Sequence, residues 1–199
     1  MGSRSPWRTR AAPPLGSALD APRPDRATLD RHGSGGLSAS PEGIRPDHYR
    51  HVLGHFATGV AVVTALSEGK PIGMTVQAFS ALSLSPPMVL FCARRGSRSW
   101  AAIADSGRLC VNLLHEQQSG LAVQFARSGR AKFQGVEWSP SAATGSPVLR
   151  PALAWIDCLI RETHPGGDHM VVMCDVVDLG ADTSGRPLLF YRSEYQRLG

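Results

Sequence analysis

Arginines and serines are concentrated in one short segment, Arg94–Ser99, between an apolar run and a helical pattern. At such a junction free N–H groups and the positive end of the helix dipole favour an anion, and hydroxyl and guanidinium groups add donors. The segment therefore predicts a phosphate site. The same residues also fit a solvated basic turn in which Ser97 or Ser99 only caps the helix.

A second segment, Gly73–Ser80, places small and hydroxylic residues between apolar ones in a strand-like pattern. A planar ligand with polar edges needs a strand edge whose backbone groups are open and whose side chains are small. Polar residues on the outer face of an ordinary strand would give the same pattern. The residues alone leave both interpretations open.

Five of the seven histidines occur in two groups, and neither group predicts a metal site. In the turn segment 164–169, Asp168 and His169 are neighbours and would point to opposite faces of a strand. His169 is then either a single imidazole at a pocket mouth or an exposed turn residue. The other group shares one face of a predicted helix, where no carboxylate or cysteine completes a ligand set; its members are His48, His51 and His55.

These candidates require a scaffold, which the hydrophobic pattern predicts to be mainly β. A helix is expected over 46–59, a capped helix over 97–107 and a third over 116–129. About seven strands are expected, without regular alternation of strand and helix, which favours an antiparallel barrel with short peripheral helices. The predicted strands are GVAVVTALS, PIGMTVQAFSALSLS, MVLFCA, RLCVNLLH, ALAWIDCLIRETH, DHMVVMCDVVDLGA and PLLFYR, with PGG as the hairpin turn between the two long ones.

The chain of 199 residues, 42% of them apolar, is long enough for one domain with a substantial core. Residues 1–44 are rich in Pro, Gly and Arg and predict a flexible tail, or else an arm that packs on a partner subunit, with the folded domain at 45–199. No apolar run approaches the ~20 residues of a membrane span, and a basic tail alone is weak support for nucleic-acid binding. Four cysteines inside apolar stretches predict reduced, core-facing thiols in a cytoplasmic protein.

Taken in order, several segments resemble the flavin reductase family, whose members are FMN-binding split-barrel proteins that serve as reductase components of two-component monooxygenases. The resemblance covers roughly 46–199, and the order and spacing of the pieces carry it. The sequence has no GxGxxG, Walker, HExxH or GxSxG motif that would compete with it. The matching pieces are HFATGVAVVTA, GMTVQAFSALSLSPPMVLFC, RLCVNLLHEQQSGLAVQFA, KFQGVEW, ALAWIDCLIRETHPGGDHMVVMCDVVDL and PLLFYRSEYQRL.

The resemblance implies a homodimeric Greek-key split barrel that binds FMN or FAD and oxidises NADH or NADPH. Gln77 and Ala78 stand where the family usually has Asn and Ser. The resemblance therefore implies backbone contacts to the flavin at these positions, but not hydrogen bonds from the two side chains. His169 and Tyr195 match positions associated with nicotinamide. The positions implied to contact flavin are Thr75, Val76, Gln77, Ala78, Ser80, Ala93, Ser97, Arg98, Ser99, Lys132 and Phe133.

Three functions remain compatible with these residues. The first is an NAD(P)H:flavin oxidoreductase that supplies diffusing reduced flavin to a partner monooxygenase. The second is a flavoprotein that keeps its flavin and reduces another acceptor, such as a quinone, nitro compound, metal centre or corrin. The third is a non-catalytic flavin-binding protein. Hydride transfer between two cofactors needs no acid–base triad, and none is predicted here.

Overall fold

Antiparallel strands form most of the fold. The computed structural model describes residues 43–129, 131–182 and 184–198. The helices are α1 (Pro46–Leu53), α2 (Arg98–Ser106) and α3 (Ser119–Ala126). The strands are β1 (Thr58–Gly59), β2 (Ala61–Ser67), β3 (Lys70–Val76), β4 (Phe79–Leu84), β5 (Pro87–Arg94), β6 (Arg108–Leu113), β7 (Trp138–Pro140), β8 (Pro147–Leu149), β9 (Ala154–Gly166), β10 (His169–Ala181), β11 (Leu188–Tyr191) and β12 (Glu194–Arg197).

The main sheet has seven strands in the order β3-β2-β6-β9-β10-β5-β4, and every ladder in it is antiparallel. Its two edge strands, β3 and β4, are consecutive in the chain, yet no ladder joins them within the described residues. A three-stranded sheet, β1-β11-β12, and the β7-β8 hairpin complete the architecture. The predicted split antiparallel barrel with short peripheral helices is confirmed, as an open sheet rather than a closed one.

Two apolar clusters form the core. The larger contains Phe91, Trp100 and Val172 and lies between the main sheet and α2. The smaller contains Phe125 and Leu188 and fixes α3 and β11 to the other side of the structure. Because β2 supplies alternate residues to both clusters, the strand is buried on both faces, as its uninterrupted apolar sequence requires.

Helix α1 differs from its prediction. It ends at Leu53, where the N–H of Gly54 donates to Arg50 O at 2.9 Å, and does not continue to residue 59. None of its residues is buried: Tyr49, Val52 and Leu53 are about half exposed, and Phe56 beyond it is 75% exposed. The predicted helical spacing of its apolar residues is confirmed, but within this chain their side chains are not buried.

The connections also differ in detail. The strand predicted over Pro71–Ser85 is two strands that separate at Gln77, and the connection at 135–151 contains the β7-β8 hairpin. The long hairpin turns at Gly167 and Asp168, because Gly166 still pairs with His169. Gly167 has φ +70°, a left-handed conformation that favours glycine.

The remaining expectations concern the tail and the cysteines. The flexible tail predicted over 1–44 falls almost entirely outside the described residues. Cys110, Cys158 and Cys174 are buried and unpaired, whereas Cys92 is only half-buried. Among the described residues no helix is long and apolar enough to cross a membrane.

Candidate functional site

The predicted site residues converge on one cavity of about 720 Å³, here called the site cavity. Its walls come from the end of β3, the start of α2, the turn after α3, and the tip of the β9-β10 hairpin. This volume is in the range of small-molecule and cofactor pockets. Ten of the predicted residues line it: Thr75, Val76, Gln77, Ala78, Ser97, Arg98, Ser99, Lys132, His169 and Tyr195.

Gln77 and Ala78 form the break between β3 and β4, which leaves backbone donors at the cavity wall. The carbonyl of Gln77 accepts from Phe79 N at 2.9 Å, and that of Ala78 accepts from Cys92 N at 2.9 Å. Within the described chain neither residue's own N–H group has a hydrogen-bond acceptor. Unpaired N–H groups beside a cavity suit the polar edge of a planar ligand.

The start of α2 supplies a second set of donors. Ser97 caps the helix, since its side chain accepts from Trp100 N at 3.2 Å, so the predicted capping role is confirmed. The exposed Arg98 guanidinium, at the first turn, has no hydrogen bond or ion pair within the residues described. A helix N-terminus with a free arginine favours an anionic ligand.

The hairpin tip brings His169 to the same cavity. In the β5-β10 ladder His169 is opposite Arg94, and the Arg95 N–H donates to Asp168 O at 3.1 Å, which ties the arginine-rich loop to the turn. His169 Nδ1 lies 2.8 Å from Asp168 Oδ1, and this hydrogen bond lowers the pKa of the Asp168 carboxyl. The carboxylate thus orients an imidazole that is still 43% exposed.

Lys132 occupies the cavity wall as a half-buried clamp. Its ammonium group donates to Gly73 O at 3.0 Å, to Phe125 O at 2.9 Å and to Ser99 Oγ at 3.1 Å. These bonds join β3, α3 and α2, and burial lowers the pKa of the lysine. Since all three acceptors are uncharged, the cation has no carboxylate beside it and is suited to stand near an anion.

Two further predicted residues are held by local bonds or packing. Thr75 Oγ1 donates to Ala122 O at 2.6 Å, so its hydroxyl proton fixes β3 to α3. Tyr195 packs edge-to-face on Phe190 at 5.3 Å, and burial raises the pKa of its phenol. Tyr195 thus offers an aromatic surface, and its phenol stays neutral well above neutral pH.

Three predicted flavin contacts do not line the site cavity. Ala93 is fully buried in the larger core cluster, because alternation along β5 turns it away from Cys92 and Arg94. Phe133 packs on Phe125 with ring centroids 4.9 Å apart, inside the smaller cluster. Ser80 is exposed on β4, where its hydroxyl bonds its neighbour's carbonyl.

The structure adds residues that the sequence reasoning did not select. Cys92 and Arg94 line the cavity through the same β5 alternation that buries Ala93, a signal present in the sequence. Arg127 and Ser128 line it from the turn after α3, where no periodic pattern pointed to them.

The electrostatics of the cavity are one-sided. Arg94, Arg98, Arg127 and Lys132 contribute four cations, and no Asp or Glu is among the described residues that line it. Nor does the described part of the chain contain a cluster of His, Cys, Asp or Glu that could hold a metal. The arrangement can bind a planar heterocycle that carries phosphate.

Comparisons with known proteins agree with the kind of ligand that this cavity suits. The chain is 47% identical over 163 residues to the HsaB reductase subunit of a flavin-dependent monooxygenase from Rhodococcus jostii, covering 82% of each chain. It is 48% identical, with TM-score 0.74, to a nitrilotriacetate monooxygenase component B from Mycobacterium thermoresistibile, covering 77% of this chain and 86% of that one. It also resembles the NADH:FAD oxidoreductase SgcE6 of Streptomyces globisporus in complex with NAD and FAD fragments, at 30% identity and TM-score 0.74, over 80% and 98% of the two chains. Residues 53–199 match the family described as flavin reductase like domain, and the chain belongs to that family.

Proposed function

We propose that this protein is an NAD(P)H:flavin oxidoreductase that reduces FMN or FAD and supplies the reduced flavin to a partner monooxygenase. The observation that carries the proposal is the site cavity, in which unpaired backbone donors and unpaired arginines face the same space. Relatives named as reductase subunits of monooxygenases support the partner. The cytoplasm is the proposed compartment, supported by four free cysteines.

Flavin and nicotinamide rings exchange a hydride by their own chemistry, so the protein must bind and orient them. The N–H groups of Gln77 and Ala78 are placed to donate to the polar edge of the flavin ring and to stabilise negative charge that develops there. Arg98 and the start of α2 bind the phosphate. His169, held by Asp168, orients the nicotinamide and is not required as a proton shuttle.

A homodimer is also proposed, supported by apolar surface that this chain leaves uncovered. A cavity of about 780 Å³, here the apolar cavity, lies between α1 and β11 and shares Gln77 and Ala78 with the site cavity. Tyr49, Leu53 and Phe56 border it and are more than half exposed. A second copy that covers this region would shield the flavin-ring side of the site from water.

The test is an assay of NADH and NADPH oxidation with added FMN and FAD, after the spectrum of the purified protein has been recorded. A largely colourless protein that turns over added flavin supports the proposal. Arg98→Gln should raise the flavin KM about tenfold, the scale of one lost charge-assisted bond, while Arg108→Gln, an exposed arginine outside the cavity, should not.

Two results would contradict this function. Tightly retained flavin with slow turnover of added flavin would favour a flavoprotein that reduces another acceptor. Absence of NAD(P)H oxidation with either flavin would favour a non-catalytic flavin-binding protein.

A further inference from the structure

A second polar cavity, of about 710 Å³, adjoins the site cavity. We call it the side cavity. It lies along α3 and the turn after it, and its lining includes Ser119, Gly120, Val123, Gln124 and Gln134. The two cavities share one wall, made of Arg127, Ser128, Gly129, Lys132 and Tyr195.

The shared wall is open on its backbone side. Gly129 has φ +138°, which side chains rarely adopt, and a Cβ built there would meet nothing within 4 Å. Gly120, on the opposite part of the side cavity, is equally open. Glycines at such positions let a ligand approach the backbone closely.

The positive charge of the lining indicates that a ligand extending across the shared wall would be anionic. Arg127 is exposed, and its guanidinium has no hydrogen bond or ion pair within the described chain. The described lining of the side cavity contains no Asp or Glu. The cation of Arg127 interacts favourably with the dipole at the end of α3. That interaction does not explain why Arg127 lines two adjacent cavities.

The neutral groups of the side cavity suit a nucleoside. The side-chain nitrogen of Gln124 donates to Lys132 O at 2.8 Å and Gln134 O at 3.0 Å, which fixes the amide and leaves its oxygen as an acceptor. Ser119 and Ser128 add hydroxyls, and Tyr195 adds an aromatic ring at the junction. Together they offer hydrogen bonds to a base and ribose, and a surface for stacking.

We propose that Arg127 and the side cavity bind the adenosine diphosphate half of a dinucleotide. FAD and NAD(P)H both carry this group, and the inference rests on the proposed function because it places the remainder of the ligand in the site cavity. Arg127 binds the pyrophosphate and the side cavity holds the adenosine. Arg127 is then a specificity residue that distinguishes dinucleotides from FMN.

The direct test is calorimetric titration with ADP, which does not depend on turnover. We expect Arg127→Gln to weaken ADP binding about tenfold, Arg127→Lys to weaken it less because the charge remains, and Arg108→Gln to leave it unchanged. Gly120→Leu, which places a bulky side chain at a lining position, should weaken ADP binding with Arg127 intact. Equal ADP affinity in wild type, Arg127→Gln and Gly120→Leu would overturn the proposal.

Kinetics of the same variants identify the dinucleotide. If the flavin carries the group, Arg127→Gln raises the KM for FAD far more than the KM for FMN or for NADH. If the nicotinamide cofactor carries the group, Arg127→Gln raises the KM for NADH, and the ratio of the KM for FAD to the KM for FMN does not rise. A uniform rise for all three would show that Arg127 only supports α3 and would refute the inference. Lack of turnover in wild type would refute the proposed function while the ADP titration remained decisive here.

Discussion

Lys132 is a half-buried cation whose ammonium group bonds only uncharged acceptors. Burial lowers its pKa because the charged form loses hydration. A phosphate bound beside it would favour the charged form and raise that pKa again. Flavin binding should therefore be coupled to proton uptake in the pH range between the pKa of the free protein and that of the complex.

The first prediction follows from this coupling. FMN affinity should fall as the pH rises through the pKa of Lys132 in the free protein, because the cation that attracts phosphate is lost. Lys132→Met should weaken FMN binding about tenfold at neutral pH and remove this pH dependence, as measured by flavin fluorescence titration. Lys70→Met, which changes an exposed lysine outside the cavity, is the control. An unaltered pH profile in Lys132→Met would contradict the assignment.

His169 carries the second prediction. Because Asp168 orients its ring toward the cavity that also holds Tyr195, His169→Ala should raise the KM for the nicotinamide several-fold and leave flavin affinity nearly unchanged. Separate steady-state titrations of the two cofactors measure this. His164→Ala, on the same hairpin but away from the cavity lining, should change neither constant. A loss confined to flavin binding would exclude the nicotinamide role.

At the residue scale, the sequence was informative where a motif follows a regular element. Ser97 and His169 were identified because a capped helix and a hairpin fix their positions. Phe133 packs on Phe125 and does not line the site cavity, and a resemblance in sequence does not show which way an aromatic ring turns. Arg127 was missed since it follows a helix in a turn without periodicity.

At the element scale, the contact between β3 and α3 depends on Gly73. A Cβ at this position would lie 2.8 Å from Phe125 Cε1 and 3.0 Å from Val63 O. Phe125 is fully buried and packs on Phe133 with ring centroids 4.9 Å apart, so a Cβ at Gly73 would force this packed ring to shift. The carbonyl of Gly73 also accepts from Lys132 Nζ at 3.0 Å, so the packing of α3 and the position of the Lys132 cation depend on one close approach.

Gly73→Ala should therefore destabilise the fold by about 1–3 kcal/mol through overpacking. Gly120→Ala is the matched control: it lies in α3 with open space around it, and should be neutral or stabilising by up to ~1 kcal/mol from helix propensity. Denaturant unfolding followed by circular dichroism measures both. Equal stability of the two variants would show that α3 can move away from β3 without cost.

The elements themselves were mostly predictable, because β2, β6, β9 and β10 are mainly apolar stretches bounded by turn residues. The errors arose where tertiary context decides. The break at Gln77 has no Gly or Pro to mark it, and the short β12 strand follows a turn formed by two non-glycine residues with positive φ, Arg192 and Ser193. The predicted end of α1 lies beyond the observed end at Leu53, because the helical spacing of apolar residues continues past Gly54.

At the scale of the whole molecule, several large apolar side chains are strongly exposed. Leu84 at the end of edge strand β4 is 93% exposed, Phe56 75% and Leu179 61%. Scattered apolar side chains are common on surfaces, but here α1 presents an apolar face over a cavity that shares Gln77 and Ala78 with the site cavity. A second subunit would bury this face and complete the ring side of the site.

This gives the last prediction, in which assembly and activity change together. Phe56→Glu combined with Leu53→Glu should convert a dimer to a monomer, measured by light scattering after gel filtration, because each change places a carboxylate at the border of the apolar cavity. Leu198→Glu, which changes a leucine as exposed as Leu53 but outside the apolar cavity, should leave the dimer intact. The monomer should bind ADP like the wild type but lose flavin affinity, since only the ring side of the site cavity borders the apolar cavity. A monomeric wild-type protein, or a monomeric variant with undiminished flavin affinity, would mean that one chain forms the complete site.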